Sequence, residues 1–426
     1  MIAEISVKNF KSVKELKLPL GRVTVLIGEN GSGKSNILEA VALLGAGASD
    51  KLDNEFLVSR GIRLTDSSLM LSAFPDLDET PKSPKDSVVL AATSASKERI
   101  ALTLTPQSDK WRSVPGFSIS VSKESEKRQA GADDKALPVV DTPAKLLELV
   151  KPTINKTDKG WSVTLGPVNV ANDIPDEVIN SIRDRMQLHL SKAFADWGRT
   201  IDEKELHCGR FLIYAPENSA LRRFEDEGQI QPVGIRGEGL FKMLQTLASS
   251  EGAESLAELK RSLELVGWFF DFSISPNLAP GENRLKIHDR FLGPDVPFDQ
   301  RSANEGFLFL IFYFSVFLSK ATPQFFAIDN IDAALNPKLC GELMRRLCEL
   351  AKKFDKQVIL TTHNPAILDG LNLSDDEQRL YAVYRNDQGH TKVRRIQAPK
   401  VRSGTTPTKL SDAFMHGLIG GLPKNF

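Results

Sequence analysis

Eight residues constrain this chain more than any others: Gly28-Glu29-Asn30-Gly31-Ser32-Gly33-Lys34-Ser35, in the pattern G-x-x-x-x-G-K-S. They follow a continuous apolar run, Arg22–Ile27 (RVTVLI), bounded by glycines, which reads as a buried central strand. They lead into Asn36–Leu44 (NILEAVALL), apolar on one face and rich in good helix formers. A strand, a glycine-rich loop and a helix in that order turn successive backbone N–H groups inward on an anion. The helix N-terminus adds its partial positive charge. In this arrangement Lys34 reaches the β- and γ-phosphates of a nucleotide, and the Ser35 hydroxyl coordinates Mg²⁺. Gly28 to Asn36 are therefore expected to bind ATP with Mg²⁺.

Such a loop needs a carboxylate at the end of another buried strand to hold the magnesium shell. Phe325-Phe326-Ala327-Ile328-Asp329 supplies four apolar residues ending in Asp329. Downstream, Gln357–Thr362 (QVILTT) is a further buried-type strand that ends at His363. Between the motifs lies the longest apolar run, Phe307–Leu318. Its 12 residues fall short of a bilayer span, which takes about 20. A buried helix is the reading.

The order of these motifs resembles the AAA-type ATPases of the SMC/RecF/overcoming-lysogenisation group, over roughly residues 1–75 and 208–426. GENGSGKSN is similar to that family's Walker A, FFAIDNIDAALNP to its Walker B and D-loop, and ILTTHNPAIL to its switch-histidine segment. Ala303-Asn304-Glu305-Gly306 resembles the signature motif, which opens a helix and meets the γ-phosphate held by a second subunit. The resemblance implies an α/β fold, a P-loop head of the ABC/SMC type with a mixed sheet. It also implies Asp329 as a magnesium ligand with Ser35, His363 as a γ-phosphate sensor, and Asn304, Glu305 and Gly306 as a nucleotide contact in trans. Two heads would then sandwich two ATPs, as a dimer or a higher homo-oligomer.

Two departures from the family pattern bear on catalysis. The position after Asp329, usually a glutamate acting as general base, holds Asn330. An amide cannot take a proton from an attacking water, and general-base catalysis contributes about 10²–10⁴-fold. Slow or absent hydrolysis is expected, with Asp332 a candidate substitute base; Lys34, Asn330, Asp332 and His363 make up the catalytic set. The signature serine is replaced by Asn304, with Ser302 as an alternative alignment.

Lys+Arg and Asp+Glu both number 55, so the chain as a whole has no bias toward nucleic acid or anionic membrane. Lys392, Arg394, Arg395, Lys400, Arg402 and Lys409 form a local basic stripe without acids. It reads either as a contact for DNA phosphates or an acidic partner face, or as a solvated strand and loop. Cys208, Cys340 and Cys348 form no CxxC pair, and no signal peptide opens the chain, so a reduced, cytoplasmic protein without a membrane partner is expected.

Residues 1–79 and 206–426 are read as the two halves of the head, with 80–205 an α+β insertion of possible assembly use. Ile2–Phe10 alternates like an edge strand, strands are expected at Val88–Ala92 and Arg99–Leu104, and a mobile loop at Lys123–Ala136. Helices are expected over Pro175–Trp197 and Gly239–Phe270. No sustained heptad appears, which argues against long coiled-coil arms. Nuclease relatives of this group carry an Asp-x-Asp metal pair in a later domain; none follows His363, and Asp375-Asp376 reads as a polar turn.

Among stand-alone relatives the chain resembles the ATPase subunit of the Septu anti-phage defence system. That resemblance implies a complex with a separate HNH-type nuclease, gated by ATP. The alternative is a RecF-like repair ATPase on duplex DNA. A transporter subunit fits poorly, because Lys34 and Asp329 lie too far apart for a compact transporter head.

Overall fold

The computed structural model describes residues 1–74, 87–107, 202, 206–223, 230–249, 252–274, 285–293, 296–398 and 409–419, with the backbone of short strands between 110 and 170. Most of the expected insertion, including Lys123–Ala136 and Pro175–Trp197, lies outside these residues, as do Lys400 and Arg402.

The core is a six-stranded mixed sheet. Its strands are β3 (Val23–Ile27), β7 (Ile213–Tyr214), β11 (Phe325–Ile328), β12 (Gln357–Thr362), β13 (Gln378–Arg385) and β14 (Thr391–Ile396), in the order β7-β11-β12-β3-β13-β14. All neighbours are parallel except the β13–β14 hairpin. Parallel strands here are covered on both faces, so they read as mostly apolar runs whose alternate residues enter different cores. Val23, Val25, Ile27, Phe326, Ile328, Val358 and Leu360 face one core. Leu26, Phe325, Ala327 and Ile359 face the other.

The first core is filled by α6 (Glu305–Leu318), in which every residue from Phe307 to Leu318 is buried. Burial of each large apolar side chain contributes about 1.5–3 kcal/mol. Around it pack α3 (Asn218–Leu221), α4 (Leu240–Ser249), α5 (Gly252–Leu263), α7 (Pro337–Lys353) and the small antiparallel sheet β8 (Phe269–Ile274), β9 (Leu285–Asp289), β10 (Phe298–Asp299). The sequence expectation of one long helical region over Gly239–Phe270 is corrected to two helices and the start of a strand. Gly252 begins the second helix, and Phe269 and Phe272 turn inward on β8.

The second core holds α1 (Lys34–Ala48) between the central sheet and an antiparallel sheet. That sheet runs β2-β1-β4-β5-β6, from β1 (Ile2–Phe10), β2 (Val13–Pro19), β4 (Val88–Ser94), β5 (Arg99–Gln107) and β6 (Lys110–Pro115). β1 is therefore not an edge: it pairs with β2 on one side and β4 on the other. Its alternation comes from having one face on α1, not from lying at a margin. The strands at 88–107, expected within the insertion, continue this same sheet. α2 (Asn54–Ser59) and α8 (Leu410–Met415) complete the described helices used below. No described helix is long and apolar enough to cross a membrane.

Candidate nucleotide site

β3 ends at Ile27 and α1 begins at Lys34, so the intervening loop lies at the carboxyl edge of the parallel sheet. Two glycines shape it. Gly33 has φ +106, and a Cβ there would lie 2.1 Å from the Thr391 hydroxyl oxygen. Gly31 has φ +76 but would meet nothing within 4 Å, so its left-handed backbone opens onto free space. Gly28 packs against β13, where an added Cβ would sit 2.2 Å from the Val383 carbonyl oxygen.

Lys34 is buried, and its ammonium donates to the carbonyls of Gly28 (2.8 Å) and Glu29 (3.0 Å). Burial pulls its pKa down to about 8 against the opposing pull of Asp329, Asp332 and Glu29. The His363 Nδ1 lies 3.5 Å from the same ammonium. Partial burial, then the Lys34 charge, hold the imidazole below its usual range, which favours its neutral form.

The Ser35 hydroxyl donates to Asp329 Oδ2 at 3.0 Å, which joins the two expected metal ligands across the sheet. The other Asp329 oxygen accepts from the Thr361 hydroxyl. Thr361 in turn accepts from the Asn330 N–H at 2.9 Å. Asp332 accepts from the Thr362 hydroxyl at 2.6 Å. The pair Thr361-Thr362 therefore holds both acidic residues, a role that the strand pattern QVILTT did not announce. Asn330 is exposed with φ 54, a left-handed position that asparagine tolerates better than most residues.

Residues remote in sequence brace the loop from behind. The Thr391 hydroxyl donates to the Ser32 carbonyl (2.9 Å) and lies 2.7 Å from the Ser12 hydroxyl, which accepts from the Asn36 amide at 2.7 Å. Arg385 Nε donates to the Gly31 carbonyl at 2.9 Å. No local motif marks Ser12, Thr391 or Arg385, because their roles arise from strand neighbours.

ATP with Mg²⁺ fits these residues. Among the described residues the Ser32 hydroxyl is buried with no hydrogen-bond partner, and a Cβ on Gly28 would lie 3.1 Å from its oxygen. The oxygens of Ser35 and Asp329 are hard ligands of the kind magnesium takes.

Asn304, Glu305 and Gly306 stand apart. Asn304 caps α6, its Oδ1 accepting from Phe307 N at 2.8 Å. Asn304 and Glu305 are exposed, and a Cβ on Gly306 would lie 3.0 Å from the Ala334 carbonyl oxygen, in the turn after Asp332. Among the described residues no hydrogen bond joins this segment to the Gly28–Asn36 loop. Of the basic stripe, Arg395 pairs with Asp376 and Arg394 donates to the Ile419 carbonyl. Asp375 accepts from the Glu377 N–H in a turn.

Two family models match the chain: "AAA ATPase domain" over residues 1–104, and "AAA domain, putative AbiEii toxin, Type IV TA system" over residues 210–369. A stretch of 44 residues is 43% identical to the OLD nuclease of Thermus scotoductus, covering 10% of this chain and 8% of that protein. Another, of 53 residues, is 49% identical to the DNA repair protein RecN of Bacillus subtilis, covering 12% and 9%. A third, of 55 residues, is 38% identical to the DNA replication and repair protein RecF of Bacillus cytotoxicus, covering 13% and 15%. The chain thus spans only a small part of the length of the curated relatives it matches. Among solved structures it is similar to an SMC head bound to the C-winged helix domain of ScpA, with a TM-score of 0.49, 14% identity, and coverage of 93% and 97%. The phosphate loop, the strand-end carboxylate and the family models define the class: a P-loop ATPase of the SMC/RecF/AAA class. Within it, one AAA model matches residues 1–104 and a second, different AAA model matches residues 210–369.

Proposed function

We propose that this chain is an ATP·Mg²⁺-binding head that closes with a second copy and regulates a separate nuclease of the HNH type in anti-phage defence, with slow or absent hydrolysis. The observation that carries the nucleotide part is the convergence of Lys34, Ser35 and Asp329, with Asn330 where a base would stand. Lys34 and the loop N–H groups would bind the phosphates. Ser35 and Asp329 would hold the magnesium, which supplies charge neutralisation at the β- and γ-phosphates. His363, 3.5 Å from the Lys34 ammonium, would sense whether the γ-phosphate is present.

Asn330 can orient a water by hydrogen bonding but cannot accept its proton. Asp332, whose Oδ1 accepts from the Thr362 hydroxyl, is the candidate substitute base. A head that binds and turns over slowly suits a switch whose state reports ATP. The nuclease partner and the defence setting rest on the motif resemblance to the Septu ATPase subunit.

A second reading is a RecF-like ATPase on duplex DNA. The short RecF and RecN similarities and the basic residues on β14 favour it. Purification of the tagged chain from its host with ATP·Mg²⁺, followed by mass spectrometry, separates the two. A stoichiometric HNH-type nuclease supports the defence reading; repair proteins or DNA alone would replace it with the second.

A further inference from the structure

Ser302, Asn304 and Glu305 are exposed, and the turn that carries them would have to hold its shape to meet a phosphate on another molecule. Its backbone has a buttress that sequence patterns do not reveal. Arg222, just after α3, spreads its guanidinium over the turn that leads into Asn304. One terminal nitrogen donates to the carbonyls of Gln300 (3.0 Å) and Arg301. The other donates to the Ala303 carbonyl at 2.8 Å, and Nε donates to Asn218 Oδ1 at 2.8 Å. Three consecutive-region carbonyls and an amide oxygen thus occupy one planar fork, a geometry that lysine cannot reproduce.

The other end of this path is the metal carboxylate. The Asp329 N–H donates to the Tyr214 carbonyl at 2.8 Å. From Tyr214 the chain is pinned by Ala215 N to the Ile235 carbonyl (2.8 Å) and Glu217 N to the Arg236 carbonyl (2.9 Å), then enters α3. Leu221, buried at the end of α3, packs beneath the Gly237 turn. Arg222 is the next residue. A short run of hydrogen-bonded backbone therefore joins the end of β11 to the turn that opens α6.

We propose that Arg222 is a positioning residue that fixes the Gln300–Ala303 turn relative to Asp329, so that Asn304 and Gly306 are presented to the nucleotide of a second copy. This rests on the two-copy reading above. Among the described residues the hydrogen bonds of Arg222 go to Asn218, Gln300, Arg301 and Ala303 and not to the phosphate loop, so its loss should leave nucleotide binding by the single chain intact while spoiling closure of two.

The test uses the full chain with a fluorescent ATP analogue for binding and analytical ultracentrifugation with ATP·Mg²⁺ for self-association. Arg222→Lys and Arg222→Ala are expected to bind the analogue within about twofold of the native chain. Both should weaken ATP-dependent self-association by about tenfold or more, as loss of charge-assisted hydrogen bonds predicts. Native self-association in Arg222→Lys would overturn the proposal, as would equal losses of analogue binding and thermal stability, which mean a general structural role. Asn304→Arg is the control for the underlying reading. If the native chain fails to associate with ATP, or Asn304→Arg associates normally, the two-copy reading itself falls and takes this role with it. Association abolished by Asn304→Arg but untouched by Arg222→Lys sinks the Arg222 role alone.

Discussion

The phosphate loop and the opening of α6 are both helix N-termini, and they are built in opposite ways. The loop before α1 is braced from several strands: Thr391 and Ser12 behind it, Gly28 against β13, Asp329 across the sheet. Its Ser32 and Lys34 side chains are buried, and among the described residues the Ser32 hydroxyl has no partner. The start of α6 spends its own side chain, Asn304, on capping the helix, and faces solvent. One terminus is an enclosed candidate half-site; the other is a surface whose preceding turn Arg222 holds. A helix N-terminus thus becomes a ligand site when its donors are left unmet and enclosed, and a capped exposed one needs a second body to become part of a site.

Substitutions can break or sharpen that contrast. The largest effect is expected at Asn330. Asn330→Glu restores a proton acceptor beside Asp329 and should raise phosphate release by about 10²–10⁴-fold, with a stability cost of about 1 kcal/mol for a longer side chain at positive φ. Unchanged turnover with ATP still bound would mean that the missing base is not what limits hydrolysis.

Lys34→Ala should weaken ATP binding by about 100-fold or more, since it removes the buried charge facing the phosphates. Calorimetric titration reads the loss, and a melting curve close to native would show that the fold survives. Tight ATP binding by this variant would place the nucleotide elsewhere.

The pH dependence is smaller. Lys34 is charged below its pKa of about 8 and loses its proton above it. Bound phosphates favour the charged form, so binding draws in a proton at high pH. ATP affinity should be level below pH 8 and fall by up to about tenfold per pH unit above it, until the pKa of the bound form is reached. Flat affinity from pH 7 to 9.5 would contradict the depressed lysine.

The smallest effect is expected at Thr391→Val, which removes the hydroxyl shared by Ser32 and Ser12. About 1–2 kcal/mol of local stability should go, read as a lower melting temperature with ATP affinity reduced by about fivefold. An equal change in self-association without loss of ATP affinity would erase the distinction between the two helix termini.

Much of the sheet was legible in advance because parallel strands covered on both faces are buried at every position, as Val23–Ile27 and Gln357–Thr362 are, and so read as mostly apolar runs. The phosphate loop was legible because its glycines and lysine are needed at fixed spacing. The region Gly239–Phe270 was misread because its two helices and following strand share a similar apolar content, and only the packing of Phe269 and Phe272 separates them. β1 was misread as an edge because alternation reports one covered face and says nothing about what pairs on either side. Thr361, Thr391 and Arg222 carried no signal, since a hydroxyl or guanidinium acquires its role from carbonyls that the fold brings near.

By itself the sequence determined the phosphate loop, the apolar strands that carry Asp329 and His363, the buried helix after Asn304 and the absence of glutamate at Asn330. These are local properties, set by residue type and spacing along one strand–loop–helix unit. Tertiary structure alone decided that Ser35 meets Asp329, that Thr391 supports Ser32, and that Arg222 holds the turn before Asn304. Each joins residues tens to hundreds of positions apart, and such contacts exist only once the two cores have closed around the sheet.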